Sequence, residues 1–293
     1  MGGVGNQLFQ YAAGLGLSQT SGASLVVDRS NVEGLCLPDL LPEGTVEVAS
    51  QSERRRFGVS HGSESAALRA AMLLRRTALE RSRRMTVVIE SKSRGADAPE
   101  HLADRCLLIG WFINPTWFGS SWEAVAGQVL RRLAMHPAYA AATEANAAVV
   151  SFRRGDFVRW GLDLSLGYYE QSLDHLRSAT GPVWLVGDDQ LFLAFASRWF
   201  ADRGVDASPA PVFDGSAGIA DLSLLAGAQT VVMSNSTFCW WGTAAGDQAG
   251  RAVRNVVYPD LSIAPERARE GTSGRWGPSH WKRMPASFGK GAG

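Results

Sequence analysis

"AAVVSFRRGDF", residues 147–157, is an apolar run that stops on two adjacent arginines, a glycine and an aspartate. The first six residues read as a strand covered on both faces of a sheet, because the run is continuous rather than alternating. The charged residues after it serve no core. In an α/β sheet, ligands sit beyond the carboxyl ends of the strands, which places Arg153, Arg154 and Asp156 beside a ligand. Guanidinium forks match phosphate oxygens and stay charged. A structural alternative exists: an Arg–Asp salt bridge that merely pins the loop. Both can hold, with Asp156 orienting one arginine while the other meets substrate.

Working outward, similar runs recur. Candidate strands are 24–28, 45–49, 86–90, 106–109, 147–152, 183–187, 230–234 and 254–258, with helical periodicity over 120–135, 168–178, 190–203 and 218–228. Strand–helix alternation of this kind is the α/β signature. The Pro-containing stretch 136–146 reads as a boundary, giving domains of 1–140 and 141–286, with 287–293 as a disordered tail. The chain has 293 residues, comfortable for two domains.

Net charge is only +1, so nothing global points to nucleic acid. Locally, residues 53–84 hold nine arginines against three glutamates, a net of +6. That stretch, Arg54 to Arg84, reads either as a solvated helical face or as a peripheral contact with an anionic, membrane-surface partner. Cys36, Cys106 and Cys239 form neither a disulfide framework nor a CxxC pair. No run reaches a transmembrane length and no signal peptide opens the chain. The expectation is a cytoplasmic protein, peripheral at most to the inner membrane face.

Three further segments carry chemistry. "GGVGNQLFQYAAGLGL", residues 2–17, starts as a flexible loop at Gly2, Gly3 and Gly5 and runs into a helix with Leu8, Phe9, Tyr11, Ala12 and Leu15 on one face. Asn6 and Gln7 add hydrogen-bonding groups at the loop exit. A nicotinamide-type nucleotide loop competes here, but the spacing is not GxGxxG. "VGDDQ", residues 186–190, ends another strand. Asp188 and Asp189 suit either a helix cap or a site, and no clustered carboxylates or histidines support a metal. In 221–246, Asp221 is expected to open a helix, and "SNSTF" follows the next strand. Ser234, Asn235, Ser236 and Thr237, ahead of a helix near Phe238, form an anion-binding type of turn. Trp240 and Trp241 read as packing.

Together these segments resemble the glycosyltransferase family 11 fucosyltransferases, the α-1,2-fucosyltransferase type. That family carries GGxGNQxFQYA, HxRRGD, an SDD-like strand end and NSSFSWWG. Here they stand, in order, as "GGVGNQLFQYA", "SFRRGD", "GDD" and "NSTFCWWG". "GWFINPTWF" at 110–118 and "LGYYEQSL" at 166–173 are weaker echoes. The resemblance implies a GT-B-like fold, two Rossmann-type domains facing across a cleft, with an acceptor-side N-terminal domain and a nucleotide-sugar-binding C-terminal one. It implies inverting, metal-independent transfer of fucose from GDP-fucose to a glycan or glycosylated small molecule, such as a galactoside 2-OH, without a cofactor. Arg153 and Asp156 become catalytic candidates. Arg154, Ser151, Asp188, Asp221, Asn235, Ser236, Thr237 and Phe238 become donor-binding candidates, with Asp221 on guanine. Gly3, Gly5, Asn6, Gln7 and Asn114 fall to the acceptor or cleft loop.

The chain departs from that pattern at Ser151, where the family has His, and at Ile113, where it tends to have Gln. It also begins at the glycine loop, so the preceding strand of the family is expected to be missing from the first sheet. These departures keep two alternatives: a transferase for another GDP-deoxysugar, and a non-catalytic GDP-sugar-binding module.

Overall fold

The computed structural model describes residues 3–28, 37–60, 65–89, 105–110, 112–113, 117–250, 254–261 and 277–289. They form two compact units, Met1–Trp122 and Glu123–Gly293.

Unit 1 opens with α1 (Val4–Ser21), capped at its carboxyl end by Gly22 in the left-handed conformation at φ 70°. The loop expected over the first glycines is shorter than the sequence suggested. Gly3 is the N-cap, and Gly5, Asn6 and Gln7 already lie in the helix. The amides of Asn6 and Gln7 donate to Gly3 O at 3.0 and 3.2 Å. Glycine is a poor helix former, but here burial of Leu8, Phe9, Ala12 and Ala13 offsets that cost. Then come β1 (Val26–Val27), α2 (Leu37–Leu40), β2 (Glu47–Val48), α3 (Gln51–Phe57), α4 (Ala66–Arg81), β3 (Thr86–Ile89) and β4 (Cys106–Ile109). β1 pairs with β2, and β3 with β4, both parallel. Ala13, Val88, Phe112 and Trp117 form a small core. Asn114 lies outside the described residues.

The division falls inside α5 (Ser121–Leu133), earlier than the expected 140/141. α6 (Pro137–Glu144) belongs to unit 2 because it packs on a later helix. Gly227 makes that approach possible, since a Cβ there would lie 2.5 Å from Tyr139 O.

Unit 2 continues through β5 (Ala148–Phe152), α7 (Gly155–Trp160), α8 (Leu166–Gln171), α9 (Leu173–Arg177), β6 (Val183–Gly187), α10 (Gln190–Ala201) and β7 (Ala207–Pro209). It closes with α11 (Ala217–Gly227), β8 (Thr230–Val232), α12 (Thr237–Asp247), β9 (Asn255–Asp260) and β10 (Lys282–Pro285). All six strands are parallel, in the order β10-β9-β8-β5-β6-β7. Counted from β5, this is the doubly wound 3-2-1-4-5-6 order, whose reversal point lies between β5 and β8. The sheet core gathers Val150, Leu185, Val232 and Val257 with Tyr168, Tyr169 and Phe200. Sequence patterning missed β7 and β10, because edge strands lack a continuous apolar run; "KRMP" buries only Met284. Asp221 does not open a helix: α11 starts four residues earlier, at Ala217. The tail expected to be disordered from 287 is held through 289. Phe288 bridges Leu164, and the Gly289 amide donates to Asp163 O at 2.8 Å.

Candidate functional site

Because β5, β6 and β8 are neighbours and parallel, the segments after them emerge at one edge of the sheet. These segments are 153–156, 188–189 and 233–236, the stretches whose side chains carry the chemistry expected from the sequence. At the reversal point, Ser151 Oγ and Ser234 Oγ lie 3.2 Å apart, both buried. Ser151, which stands where the motif it resembles has His, thus offers a hydroxyl already engaged with the other strand's end.

Two tyrosines hold this edge from beneath. Tyr169 donates to Ser151 O at 3.1 Å and Tyr168 to Met233 O at 2.8 Å. The pair, from the "LGYYEQ" echo, therefore clamps the ends of β5 and β8 together. Burial pushes both phenols well above their usual pKa, so they remain donors. The adjacent Tyr-Tyr was visible in the sequence, but its function depends on a packing that no spacing discloses.

Ser236 caps α12, accepting from the Phe238 amide at 3.3 Å. Thr237 and Phe238 form the first turn, at the positive end of the helix dipole. Asn235 is buried and donates through Nδ2 to Leu162 O at 2.7 Å. That bond fixes the amide's orientation, since only nitrogen can donate to a carbonyl. Its Oδ1 is left without a hydrogen-bond partner, at a cost of about 1–3 kcal/mol.

The two arginines divide the surrounding aspartates between them. Arg153 bonds Asp156 Oδ1 at 2.7 Å and Asp188 Oδ2 at 2.6 Å. Its side chain is 37% exposed, and only two of its five N–H groups are used. Arg154 is a brace. It spans Asp163 at 3.2 Å and Asp189 at 3.3 Å, and its guanidinium lies 4.0 Å over the Phe192 ring. Its backbone amide donates to Asp188 Oδ1 at 2.8 Å. Asp189 also caps α10 through the Phe192 amide, the structural role the sequence allowed for one of the pair. Asp156 is the partner of Arg153, the salt-bridge alternative that the sequence left open. Partly exposed pairs of this kind contribute at most about 1 kcal/mol each, so their value is positional. Asp163 and Phe192 were not singled out from the sequence.

Gly155 opens α7 against Asp188. A Cβ there would lie 2.7 Å from Asp188 Oδ2. Gly155→Ala is expected to cost up to about 1 kcal/mol in urea unfolding by forcing Asp188 off Arg153. In an Asp188→Ala background the same change should be neutral or stabilising, since alanine is the better helix former. Equal costs in both backgrounds would contradict this geometry.

Asp221 lies mid-helix on α11, half-buried. Burial first, and the neighbouring Asp188 carboxylate second, push its pKa up to about 6. A cavity of about 500 Å³ beside the arginine loop is lined by Arg154, Arg159, Asp188, Asp189 and Leu191 among others. Gly3, Gly5, Asn6 and Gln7 sit at the start of α1 in unit 1. No group of three or more His, Cys, Asp or Glu side chains among the described residues could hold a metal ion.

No family model matches the sequence, and no curated protein matches it. Solved structures do resemble it. A crystal structure of POFUT1 in complex with GDP superposes with a TM-score of 0.52 at 14% identity, covering 88% of this chain and 95% of that one. POFUT1 in complex with GDP-fucose gives a TM-score of 0.50 at 13% identity, with the same coverages. At such identities the likeness is one of fold: this chain is α/β and GT-B-like.

Proposed function

We propose that this protein is an inverting glycosyltransferase that moves fucose from GDP-fucose to a hydroxyl of a glycan acceptor, a galactoside 2-OH being the acceptor that the motif resemblance suggests. One observation carries the reading. The reversal point of unit 2 gathers Ser151, Arg153, Ser234 and the capped start of α12 at a single sheet edge, where doubly wound folds bind nucleotides. The order of the four motifs along the chain supports the sugar-nucleotide class, as does a fold shared with POFUT1 structures that hold GDP and GDP-fucose.

In this reading the diphosphate lies against the first turn of α12 and the remaining N–H groups of Arg153. The acceptor hydroxyl attacks the sugar's anomeric carbon opposite GDP, and its proton passes to solvent as the new glycosidic bond forms. The bond from that carbon to the phosphate oxygen breaks, and negative charge grows on the diphosphate. Fixed dipoles and an oriented guanidinium stabilise that charge without reorganising, which is usually the largest catalytic contribution. Asp156 and Asp188 orient Arg153, and Arg154 braces the loop. Asn235 Oδ1 is an acceptor that a ligand hydroxyl would satisfy. Asp221, as a carboxylate, accepts from guanine N1–H and N2–H₂.

Two measurements test the reading. Titration calorimetry should show GDP binding, and a donor panel followed by GDP release should show turnover of GDP-fucose. Absence of GDP binding by the folded protein, with binding of another nucleotide sugar, overturns it. The Ser151 hydroxyl, spent on Ser234, favours a second reading in which the donor is a different GDP-deoxysugar. The same panel separates the two.

Asp221 also predicts a pH dependence. Its folded pKa of about 6 exceeds the usual carboxylate value, so the native state holds the proton more tightly than the unfolded chain. Ionised Asp221 therefore costs stability above pH ~6, and the cost fades as pH falls toward ~4. Asp221→Asn should stabilise the fold by roughly 2–3 kcal/mol near pH 8 and by little near pH 4. The same change should weaken GDP-fucose binding by roughly tenfold, the value of about one charged hydrogen bond. Wild-type affinity should fall as pH drops through about 6. A flat affinity profile together with unaltered binding by the variant removes Asp221 from the guanine site.

A further inference from the structure

The arginine-rich stretch of unit 1 plays no part in the proposed transfer reaction. In three dimensions it is the pair α3 and α4. Ser50 closes a capping box on α3, and Ser65 caps α4. α4 runs 16 residues yet buries only Met72. That buried side packs on the turn after α3, where a Cβ on Gly58 would lie 2.6 Å from Met72 O. At 100° per residue, the face opposite Met72 carries Ala67, Ala70, Leu74, Ala78 and Arg81, with Ala71 and Leu73 on its flanks. All five are exposed, Leu74 by 71%, and the adjacent Leu73 by 53%. Exposed Arg75 stands on the α3 side of the same helix and donates to Arg56 O at 3.5 Å, with exposed Arg55 and Arg56 on α3. Nine arginines against three glutamates give residues 53–84 a net of +6 within a chain of net +1.

We propose that the outward face of α4 docks on the surface of an anionic bilayer, lying in the interface rather than crossing it. Charge complementarity and the composition of the strip select this occupant. A stable protein interface needs about 800 Å² per partner with a large apolar centre, which a ribbon of alanines and two leucines does not provide. A bilayer asks less of the helix. Headgroup phosphates pair with the arginines, the leucines enter the acyl boundary, and the long arginine stems reach back to the phosphates. No helix among the described residues is long and apolar enough to cross a membrane. Each arginine brought to an anionic surface raises affinity roughly fivefold.

The experiment is co-sedimentation of the full chain with phosphatidylcholine vesicles, with and without about a third phosphatidylglycerol. Binding to the anionic vesicles only, lost at high salt, is the expected result. Leu74→Glu and Arg81→Glu should each weaken it at least tenfold. Both should leave the thermal midpoint unchanged, because these side chains are exposed. Failure to bind anionic vesicles, or equal binding to neutral ones, overturns the proposal. So does light scattering that shows a Leu74-dependent dimer, which would make the strip a contact between copies of the chain. None of these outcomes depends on the transferase reading.

Discussion

Arg153→Ala is expected to lower kcat for GDP-fucose transfer by about 10²–10³-fold, the usual cost of removing one preorganised charge donor from a transition state. Of the two adjacent arginines it is the one with N–H groups to spare. Its partners Asp156 and Asp188 supply orientation, and its side chain remains open to solvent. In the proposed reaction the charge facing Arg153 grows as the phosphate departs, so the loss should fall mainly on kcat. Stability should change little, since the two ion pairs are partly exposed. Arg154→Ala should do the reverse. It removes the brace on Asp163, Asp189 and the Phe192 ring, so it should lower the thermal midpoint and depress GDP affinity and kcat together. Steady-state kinetics with thermal scans of both variants separates the roles. Wild-type turnover in Arg153→Ala would end the assignment of the diphosphate to this edge.

The largest stability effect is expected far from that edge, at Arg254. It is 4% exposed and donates to Ala228 O and Thr243 O, both at 2.7 Å, and to Leu225 O. It also pairs with Asp247 at 3.3 Å, a carboxylate that holds Trp281 Nε1 at 2.6 Å and His280 at 2.8 Å. Gly246 leaves room for the guanidinium, because a Cβ there would overlap it. Arg254→Ala strips donors from three carbonyl oxygens and leaves Asp247 without its buried cation. Breaking such a pair costs about 3–5 kcal/mol, a large part of the roughly 5–15 kcal/mol that a domain commands. Urea unfolding of Arg254→Ala and of the volume-matched Arg254→Met should both show this loss. A cost under about 1 kcal/mol in both would mean that these bonds are readily replaced.

Much of unit 2 was legible in the letters. β5, β6 and β9 are central strands whose apolar runs need no partner to be recognised, and the polar turn before α12 is a cap signal visible in four residues. The edge strands β7 and β10 were not, because their residues face solvent and owe their extension to a neighbour. Asp221 could be picked out but not positioned. The periodicity over 218–228 marks its helix, but the residue was expected to open that helix, whereas α11 (Ala217–Gly227) holds it in the middle. The loops of the candidate site were readable as motifs, but how Arg153 and Arg154 divide the aspartates between them was not. Adjacent residues on a turn diverge, and only the surrounding aspartates decide which one is left facing outward.

The strand order has a consequence for how the protein is made. β5 lies at the middle of its sheet, yet the partner that completes it, β8, is translated some 80 residues later. Until then a growing polypeptide presents Ala148–Phe152, buried along its whole length in the finished fold, with one backbone edge unpaired. Such a half-finished sheet invites pairing with another nascent chain. Production of this protein is therefore governed by how fast α11 and β8 emerge and close that gap, so slow translation through 210–232 would favour aggregates over soluble product.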